Sequence, residues 1–536
     1  MKAMNKPYPY YDAPEINSLR ELVDYCTKAH NEKVAFHWLK KKDEFSKTYK
    51  DFKEDVEALG TYFISKGYNR THIAVIGENS YEWIVTYFAT VNSNNIIVPL
   101  DKEASINDLK YLVEKSDTTV IVHSDDYLEE AEATGCQNLI NMKDFDAIIA
   151  ESKENIADGN NLFKDVTIDE NAMCTLVYTS GTTSEPKGVM LSHKNIASDA
   201  LYTLMNSTVP NSSILVLPLH HTYAMILAIS VPMLVGSSIF INRSLRTLMS
   251  DISFCKPKYI AVVPLMMDTF YKRIIEKLRN TGKEDIINKL VTISNTLRKF
   301  GIDLRRKFFA KILEAFGGNL ELIAVGGAPI NEHVVTALTD FGIQVLGGYG
   351  TTECSPIVSS VRNKHYNPKS SGSIIPNVEA RVVDDEIQIK GDIVFLGYYK
   401  DDQATQKVFD GEWYKTGDLG EIADGFLFVS GRHKNLIVLS NGENISPESM
   451  EMLLTNNIPE IEEVVVYSQG DIIIAENYLS QRNTKTEETI CEGIEELNKK
   501  LPTYKQISKI IFRDVPFEKT TTKKIKRNNL GGYKNA

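Results

Sequence analysis

Short apolar runs alternate with helical patterns along most of the chain, and this alternation limits the possible fold more than any other feature. Residues 72–77 form an apolar run that ends in Gly77, as a buried parallel strand would, and residues 95–99 form a second run. The stretch 80–93 between them has the apolar spacing of a helix. Strand, helix and strand in succession predict a layered α/β fold. Further short apolar runs follow at 119–122, 174–178, 214–217, 259–264, 321–325 and 343–346.

A hydroxyl-rich loop, Tyr178–Val189, is the strongest candidate for a binding site. Its five Ser and Thr hydroxyls, its backbone N–H groups and one lysine can surround a polyphosphate. It is not a Walker A loop, because Pro186 precedes the lysine and the following residues 189–191 predict a strand rather than a helix. An ordinary polar hairpin loop is the alternative. The phosphate-loop candidates are Thr179, Ser180, Gly181, Thr182, Thr183 and Lys187.

Composition indicates a globular protein of several domains. The chain has 536 residues, of which 43% are hydrophobic and 24% charged. Its formal net charge of −11 does not suggest a nucleic-acid partner. The six cysteines lack CxxC spacing, which argues against a zinc site or a disulfide framework and for free thiols in a reducing compartment.

No segment predicts export or a membrane span. The N-terminus lacks the apolar core of a signal peptide. The longest apolar stretch, 225–241, is interrupted by Pro232 and Gly236, whereas a span needs about 20 mostly apolar residues. A buried helix, a turn at Val235–Gly236 and then a strand is the better interpretation. We therefore expect a cytoplasmic protein, with peripheral membrane contact if its substrate is a lipid.

Further motifs accompany the loop in one order along the chain. They are Tyr81–Ile84, Val98–Leu100, Leu217–Thr222, Gly326–Pro329, Tyr349–Glu353, Tyr414–Asp418, Gly431–Lys434 and Thr520–Arg527. Each motif alone is weak, but their common order is specific. Together they resemble the adenylate-forming enzymes, which include acyl-CoA synthetases, adenylation domains and beetle luciferases.

A long, basic, helix-rich insert occupies residues 265–318. A solvated helical hairpin is the favoured interpretation of this insert. Its length and its position before Gly326–Pro329 nevertheless resemble the long-chain fatty acyl-CoA synthetase branch.

The resemblance implies a fold, a reaction and its co-substrates. The fold would be α/β: a large N-terminal domain, residues 1–432, of layered α/β subdomains plus a small β-barrel-like region, and a small mobile C-terminal α+β domain, residues 433–536. The reaction would join a carboxylic acid, most plausibly a medium- or long-chain fatty acid, to the α-phosphate of ATP with Mg²⁺ present. Coenzyme A would then displace AMP to give acyl-CoA.

The resemblance also assigns the adenine and metal residues. Glu353 would bind Mg²⁺, which takes one or two carboxylates together with phosphate oxygens and water. Thr352 would bond the α-phosphate. An adenine slot would consist of Tyr349 on one face of the base and backbone-exposing residues on the other. Those residues are Gly326, Gly327, Ala328 and Gly348, although the glycines could serve turns alone.

Asp418 is the ribose candidate, because a carboxylate only accepts hydrogen bonds and suits a diol. A simple turn residue is the alternative there. Arg432 would be a second ribose or phosphate contact. His221 would stand at the gate of the acyl pocket, with His220 as its adjacent competitor and a core histidine as the alternative for either.

The C-terminal region would supply the catalytic lysine. The spacing of the terminal motif selects Lys524, which would bridge the substrate carboxylate and the α-phosphate. Lys523 is a rival, because the family usually has glycine at its position. By resemblance, the small domain would swing about a hinge at Lys434, and Gly442 would line the tunnel for the CoA thiol.

Two other functions remain open from the sequence. One is adenylation followed by transfer to a carrier-protein thiol, or to no thiol, as in a luciferase-like oxygenase. The other is a nucleotide-binding relative without catalysis. The presence of Lys524, Glu353 and Asp418 argues against the second, whereas a short segment at 465–483 argues mildly for it.

Overall fold

The structure, a computed structural model, describes residues 8–179, 185–282, 284–365, 367–440, 442–519 and 525–527. The helices α1–α18 span Leu19–His30, Tyr49–Ser65, Tyr81–Asn92, Ile106–Lys115, Leu128–Ala133, Phe145–Ala157, His193–Asn206, Thr222–Ala224, Val231–Leu234, Leu248–Cys255, Pro264–Asn280, Glu284–Lys299, Arg305–Phe308, Ala310–Leu313, Glu332–Asp340, Asp402–Val408, Pro447–Asn457 and Thr484–Asn498.

The strands alternate with these helices through the first two thirds of the chain. The strands β1–β26 span Val34–Lys40, Asp43–Thr48, His72–Ile76, Ile96–Pro99, Val120–His123, Asn138–Asn141, Met173–Thr179, Lys187–Ser192, Ser212–Leu215, Ser238–Ile241, Tyr259–Val262, Leu322–Val325, Gln344–Gly350, Ile357–Ser360, Ser373–Ile374, Val378–Val383, Glu386–Gly391, Gly397–Tyr398, Phe409–Asp410, Trp413–Ala423, Phe426–Arg432, Ile437–Val438, Asn444–Ile445, Glu463–Gln469, Ile472–Tyr478 and Lys509–Arg513.

Two large sheets form the layered part of the fold. A seven-stranded sheet has the order β18-β8-β7-β4-β3-β5-β6, and a nine-stranded sheet has the order β15-β14-β13-β12-β11-β9-β10-β1-β2. The inner strands of both sheets pair in parallel, as β3 does with β4 and β11 with β12. Parallel neighbours need a crossover, and α3 supplies the one between β3 and β4. These sheets confirm the predicted α/β fold.

Helix α3 shows how local sequence and packing cooperate. The Ser80 hydroxyl caps the helix by accepting from the backbone N–H of Trp83. Nearly every residue of α3 is buried, so its apolar side chains pack on all sides rather than along one stripe. Phe88 meets Phe52 of α2 edge to face, with ring centroids 5.5 Å apart.

Several sequence predictions are confirmed in detail. The apolar stretch 225–241 forms a helical segment that ends at Leu234, a turn in which Gly236 has φ +67°, and strand β10. The insert predicted at 265–318 contains α11 to α14.

Among the described residues, no helix combines the length and apolar character needed to cross a bilayer.

The last part of the chain is strand-rich and then forms a separate core. The predicted barrel-like region corresponds to a five-stranded antiparallel sheet of β16, β17, β19, β20 and β21. Beyond it, buried residues from Ile437 to Ile507 form a cluster that shares no member with the main core of the large sheets. Helix α17 packs against β21 and joins the two parts.

Candidate active site

Several of the predicted site motifs lie together because they follow strands of the parallel layers. Residues 217–222 come after β9, residues 326–329 come after β12, and residues 349–353 span the end of β13 and the turn after it. Asp418 and Arg432 instead lie on the antiparallel strands β20 and β21. The carboxyl ends of parallel strands lie at one edge of a sheet, where open α/β folds bind ligands. These segments line one cleft of about 4180 Å³.

The cleft brings together most of the predicted site residues. Those that line it are Thr179, Lys187, His220, His221, Gly326, Gly327, Ala328, Gly348, Tyr349, Thr352, Glu353, Asp418, Arg432 and Lys434. Ser180, Gly181, Thr182 and Thr183 lie outside the described residues, as do Lys523 and Lys524. The roles assigned to all of these residues stay predictions.

Asp418 is the centre of a connected polar cluster on the cleft wall. The Tyr349 hydroxyl donates to Asp418 Oδ2 at 2.8 Å, and Arg432 Nε lies 2.9 Å from Asp418 Oδ1. Asp418 on β20 pairs in register with Arg432 on β21, so the sheet itself places the two charges together. The backbone N–H of Asp418 donates to the Thr416 hydroxyl at 3.1 Å. Each carboxylate oxygen keeps a further lone pair that can accept a ligand hydroxyl.

Burial shapes the protonation of this cluster. It raises the pKa of the Tyr349 hydroxyl well above its ordinary value, and the neighbouring Asp418 charge raises it further. Burial alone would lower the pKa of Arg432, but the nearby acidic groups, Asp418 first among them and Glu353 also, together outweigh it and the pKa is raised. Tyr349 therefore stays a neutral donor and Arg432 stays a cation at any physiological pH.

A second cluster joins the metal candidate to the phosphate loop. The Tyr398 hydroxyl donates to Glu353 Oε1 at 2.9 Å, and Lys187 Nζ lies 4.6 Å from the centroid of the Tyr398 ring. That distance suits a cation–π contact. Burial raises the pKa of Tyr398, and the Glu353 charge adds to the effect. Tyr398 thus separates the carboxylate from the lysine and contacts both.

Glu353 fits the chemistry of a magnesium ligand. Mg²⁺ prefers oxygen donors and usually takes one or two carboxylates, with phosphates and water completing its shell. In the described part of the chain no three His, Cys, Asp or Glu side chains form a cage for a metal ion. A single carboxylate beside a phosphate loop is therefore the arrangement expected for a cation that arrives with a nucleotide.

Glycine is required at two places on the adenine side of the cleft. Gly327 has φ +86°, a left-handed backbone conformation that side chains disfavour. At Gly350 an added Cβ would lie 1.7 Å from the carbonyl oxygen of Pro356, so no side chain fits there. Gly350 allows a close approach of two backbone segments, whereas Gly327 allows a left-handed turn. Both are compatible with the predicted adenine slot and with the simpler role in turns.

The rings of the two histidines at the acyl end are in contact, with their planes tilted by 53°. Their ring centroids are 4.0 Å apart, and His220 Nε2 lies 3.7 Å from Asp101 Oδ2. Burial lowers the pKa of His220, and the Asp101 charge opposes that shift. The loop is held from the other sheet by Asn79, whose side chain donates to the Leu217 carbonyl at 2.8 Å. Because His220 and His221 both line the cleft, the choice of gate residue stays open.

The chain on either side of Lys523 and Lys524 lies at the cleft. Lys519 and Ile525 pair as an antiparallel bridge, and both line the cleft, as does Arg527. Arg527 Nη2 donates to Glu451 Oε2 at 2.6 Å. Lys519 Nζ donates to Glu463 Oε1 at 2.5 Å. These contacts attach the terminal motif to the small core.

The hinge and tunnel candidates have different surroundings. Lys434 lies in a short 3₁₀ turn, His433–Asn435, directly after β21, and it lines the cleft. Gly442 lies between β22 and β23 with φ +83°, and its N–H donates to the Leu439 carbonyl at 2.9 Å. Gly442 is not among the residues that line the cleft in this arrangement.

Sequence reasoning missed Tyr398. Its strand β18 is two residues long and pairs antiparallel with β8, which places it beside Lys187. A Gly-Tyr pair after an irregular segment carries no periodic signal. The contact between Tyr398 and Glu353, 45 positions apart, comes only from the sheet pairing.

The chain matches two sequence families along nearly its whole length. Residues 23–399 match the AMP-binding enzyme family, and residues 434–531 match the AMP-binding enzyme C-terminal domain.

The chain is also similar to individual CoA ligases. The long-chain-fatty-acid–CoA ligase 5 of Rattus norvegicus is 27% identical over 79% of this chain and 69% of its own length. The long-chain-fatty-acid–CoA ligase 1 of Homo sapiens is 25% identical over 91% of this chain and 76% of its own.

Solved structures share the fold. The anthranilate CoA ligase in complex with anthranoyl-AMP has a TM-score of 0.77 at 19% identity and covers 98% of both chains. The o-succinylbenzoate CoA synthetase from Bacillus subtilis with ATP and a magnesium ion has a TM-score of 0.73 at 20% identity, covering 95% of this chain and 98% of its own.

These matches confirm the predicted enzyme class, an AMP-forming acid–thiol ligase that uses ATP and coenzyme A. The identity of the acid is a separate question, because the relatives and the solved structures are named for different acids. The chain belongs to the AMP-binding enzyme family.

Proposed function

We propose that this chain activates a medium- or long-chain fatty acid by forming an acyl adenylate and then transfers the acyl group to coenzyme A. The observation that carries the proposal is the adjacency of two clusters in one cleft. One is the Tyr349–Asp418–Arg432 cluster, and the other is the Glu353–Tyr398–Lys187 cluster. The first suits a nucleoside and the second suits its polyphosphate with a divalent cation.

The first half-reaction needs positioning and charge rather than a protein nucleophile. A carboxylate oxygen attacks the α-phosphorus of ATP, the bond from that phosphorus to the bridging oxygen breaks, and pyrophosphate leaves. Asp418 accepts from the ribose hydroxyls, and Thr352 bonds the α-phosphate. Lys187 and the loop hydroxyls hold the β- and γ-phosphates. Glu353 would hold the divalent cation, which when bound would neutralise phosphate charge.

Lys524 completes the first half-reaction. Its ammonium approaches the reacting carboxylate and α-phosphate, where negative charge builds in the transition state. The attachment of Arg527 and Lys519 to the small core supports this role, because both residues line the same cleft as Asp418. We propose the domain division at residues 432 and 433, with Lys434 as the hinge between the two domains.

In the second half-reaction the thiol sulfur attacks the acyl carbon and AMP leaves. This step needs the site to be rebuilt around the adenylate, and the hinge at Lys434 would withdraw Lys524 and bring Gly442 toward the thiol. Bound ligands shift such an equilibrium only through different affinities for its two positions.

Apolar side chains in one part of the cleft support an aliphatic acid. Helices α11 and α12 contribute them, and a long alkyl chain could bury against them. These side chains are Leu265, Met266, Phe270, Ile275, Ile287 and Val291. The same helices also bring charged side chains to the cleft, among them Lys272, Arg273 and Glu276.

Asp268 lies among these residues of the cleft. Burial raises the pKa of Asp268 to about 6, and the charge of Lys272 opposes the shift. A neutral carboxyl at this position is compatible with an alkyl chain, and it offers a hydrogen bond to an acid that carries a polar group. The acid panel below therefore includes hydroxylated chains.

The test is a substrate panel. The protein is incubated with ATP, Mg²⁺ and CoA against acetate, medium- and long-chain fatty acids, hydroxylated fatty acids and aromatic acids. Pyrophosphate, AMP and thioester are each measured. We expect all three products, with the highest kcat/KM for medium or long aliphatic chains. Pyrophosphate and AMP without thioester would indicate a different acceptor, and a preference for aromatic acids would overturn the fatty-acid assignment.

A further inference from the structure

Residues 392–395 connect the five-stranded sheet to the edge of the seven-stranded sheet, and we call them the connecting segment. They lie between β17 and β18 and belong to neither strand, so strand pairing does not provide donors for their carbonyl groups. Carbonyl groups inside a protein need such partners. Two buried residues outside the segment, Asn195 and Ser355, provide them.

Asn195 holds the connecting segment from the side of α7, in whose first turn it lies. Its side-chain amide donates to the Asp392 carbonyl at 2.7 Å and to the Val394 carbonyl at 2.9 Å. Its Oδ1 accepts from the backbone N–H of Ser192 at 2.8 Å. An amide has two N–H donors, and both are used on the connecting segment. The side chain therefore fixes two carbonyls of that segment to the start of α7, directly after β8.

The connecting segment in turn contacts the residues around Glu353. The Ser355 hydroxyl donates to the Ile393 carbonyl at 2.7 Å. The Phe395 N–H donates to the Glu353 carbonyl at 2.9 Å. Three residues further along the chain, the Tyr398 hydroxyl donates to Glu353 Oε1 at 2.9 Å. The segment therefore bonds the main chain of Glu353 directly and leads to the tyrosine that bonds its carboxylate.

Helix α7 makes a second kind of contact with the same segment. Lys194 Nζ lies 3.0 Å from Asp392 Oδ1, and the Tyr202 hydroxyl donates to Asp392 Oδ2 at 3.0 Å. These contacts reach only the side chain of Asp392, whereas Asn195 holds the carbonyls on both sides of Ile393. Loss of the Tyr202 hydroxyl therefore serves as a control for simple attachment of the segment to the helix.

We propose that Asn195 is a positioning residue for the Glu353 carboxylate. By holding the connecting segment, it keeps the main chain of Glu353 and the Tyr398 hydroxyl in the relative position in which the carboxylate accepts from the tyrosine. Carboxylates that bind metal ions are oriented by such hydrogen bonds, and loss of the partner weakens metal binding. The proposal rests on the proposed function for one point, the role of Glu353 as the Mg²⁺ ligand.

The test measures ATP binding by the whole protein at a series of Mg²⁺ concentrations, by calorimetry. Acid and CoA are left out, so ATP is not consumed. We expect Asn195→Ala to raise the Mg²⁺ concentration for half-maximal ATP affinity roughly 3–10-fold, the range for a lost hydrogen bond. Ser355→Ala should shift it in the same direction, and this variant carries the test if Asn195→Ala does not fold. Tyr202→Phe is the matched control and should leave it unchanged.

A double-mutant cycle tests whether Asn195 acts through Tyr398. If it does, the double variant N195A/Y398F should shift the Mg²⁺ requirement about as much as the larger single variant, because the same contact is lost only once. Independent effects would multiply to roughly 10–100-fold. A merely structural role of Asn195 would give that multiplied result.

Hydrogen exchange of the protein without ATP or metal tests the attachment itself. The amide protons of residues 353–357 and 392–396 are followed by mass spectrometry. Asn195→Ala should speed exchange in both ranges, because it frees the connecting segment and with it the bond from Phe395 to Glu353. Tyr202→Phe should change the exchange much less. Unchanged exchange in Asn195→Ala would overturn the proposal.

The substitution Glu353→Gln separates this proposal from the proposed function. If Glu353→Gln shifts the Mg²⁺ requirement but Asn195→Ala and Ser355→Ala do not, the positioning role fails and the metal assignment stands. If Glu353→Gln causes no shift either, the metal assignment in the proposed function fails as well. Equal shifts in Asn195→Ala and Tyr202→Phe, or multiplied effects in the double-mutant cycle, would overturn the positioning role alone.

Discussion

Two parts of the cleft are held in place by different contacts. One is the cluster of Tyr349, Asp418 and Arg432, which we call the wall, and the other is the C-terminal motif. On the wall, Asp418 is 4% exposed, and it is held by side chains from β13 and β21 and by the N–H bond to Thr416. At the C-terminal motif, Arg527 and Lys519 reach Glu451 and Glu463 through long side chains that are about one fifth exposed.

The two parts are attached to different regions of the chain. The wall joins β13 of the nine-stranded sheet to β20 and β21 of the five-stranded sheet. The described polar contacts of residues 525–527 all reach the small domain, at Glu448, Glu451, Val466 and Glu518. In the proposed rotation, the terminal motif would therefore move with the small domain, and the polar contacts of the wall would not have to break.

Removal of the terminal lysine tests this separation most strongly. We expect Lys524→Ala to reduce adenylate formation by about 10²–10³-fold, because a preorganised charge at the reacting centre is lost. Thioester formation from preformed acyl adenylate should change much less. Pyrophosphate release and thioester formation are measured separately, with Lys523→Ala as the matched control. A large loss in Lys523→Ala and a small one in Lys524→Ala would transfer the role to Lys523.

A rigid hinge should affect the opposite half-reaction. Proline fixes φ and removes the N–H donor, so Lys434→Pro should hinder the turn of the small domain. We expect thioester formation to fall about tenfold or more while adenylation changes less. Single-turnover assays of each half-reaction provide the measurement. Equal losses in both halves would count against a hinge at Lys434.

The wall itself is tested at Asp418. Asp418→Asn removes the charge between Tyr349 and Arg432, and charged hydrogen bonds contribute about 1.5–3 kcal/mol. We expect the KM for ATP to rise about 10–100-fold, with a smaller effect on the KM for the acid. Asp402→Asn, at an exposed position on α16, is the control. An unchanged KM for ATP would remove Asp418 from the nucleotide site.

A milder change tests the link between Glu353 and the phosphate loop. Tyr398→Phe keeps the ring beside Lys187 but removes the hydroxyl that donates to Glu353. The Mg²⁺ concentration for half-maximal activity should rise about 3–10-fold, the range for one lost hydrogen bond. Tyr399→Phe is a matched control, because its hydroxyl donates to Asp117 instead. Equal effects of the two substitutions would show that the Tyr398 hydroxyl does not position Glu353.

The smallest effect is expected where the terminal motif meets the small domain. Burial raises the pKa of Glu451 from 4.5 to about 7, with Arg527 opposing the shift. Between these pH values the folded protein holds more protons than the unfolded chain, so the free energy of unfolding should fall as pH rises from about 4.5 to about 7. Glu451→Gln should flatten this decline in thermal unfolding measured across pH, while the exposed control Glu460→Gln should not.

Much of the fold and of the candidate site could be predicted from local patterns. The apolar runs at 72–77 and 95–99 became β3 and β4, and the helical spacing at 80–93 became α3. These predictions succeed because periodicity reports which side of a single element is buried. Many of the predicted site residues also line one cleft, although their roles stay predictions.

Contacts between distant segments could not be predicted in this way. The tyrosine at position 398 became a neighbour of Glu353 through the pairing of β18 with β8. The exposure of Ile286 and Ile293 on α12 could not be predicted either, because apolar spacing alone does not say whether another element covers a side chain. Nor did spacing reveal that Arg527 and Lys519 are attached to the small domain.

The sequence by itself determined the order of strands and helices, the residue types at the carboxyl ends of the strands, and hence the family. Only the tertiary structure decided that Asp418 contacts both Tyr349 and Arg432. The same is true of the contacts of Tyr398 with Glu353 and Lys187. It is also true of the exposure of Ile286 and Ile293 on α12. The physical reason is the distance along the chain over which each interaction acts. Periodicity and capping act over a few residues, whereas the order of strands in a sheet depends on packing across the whole chain.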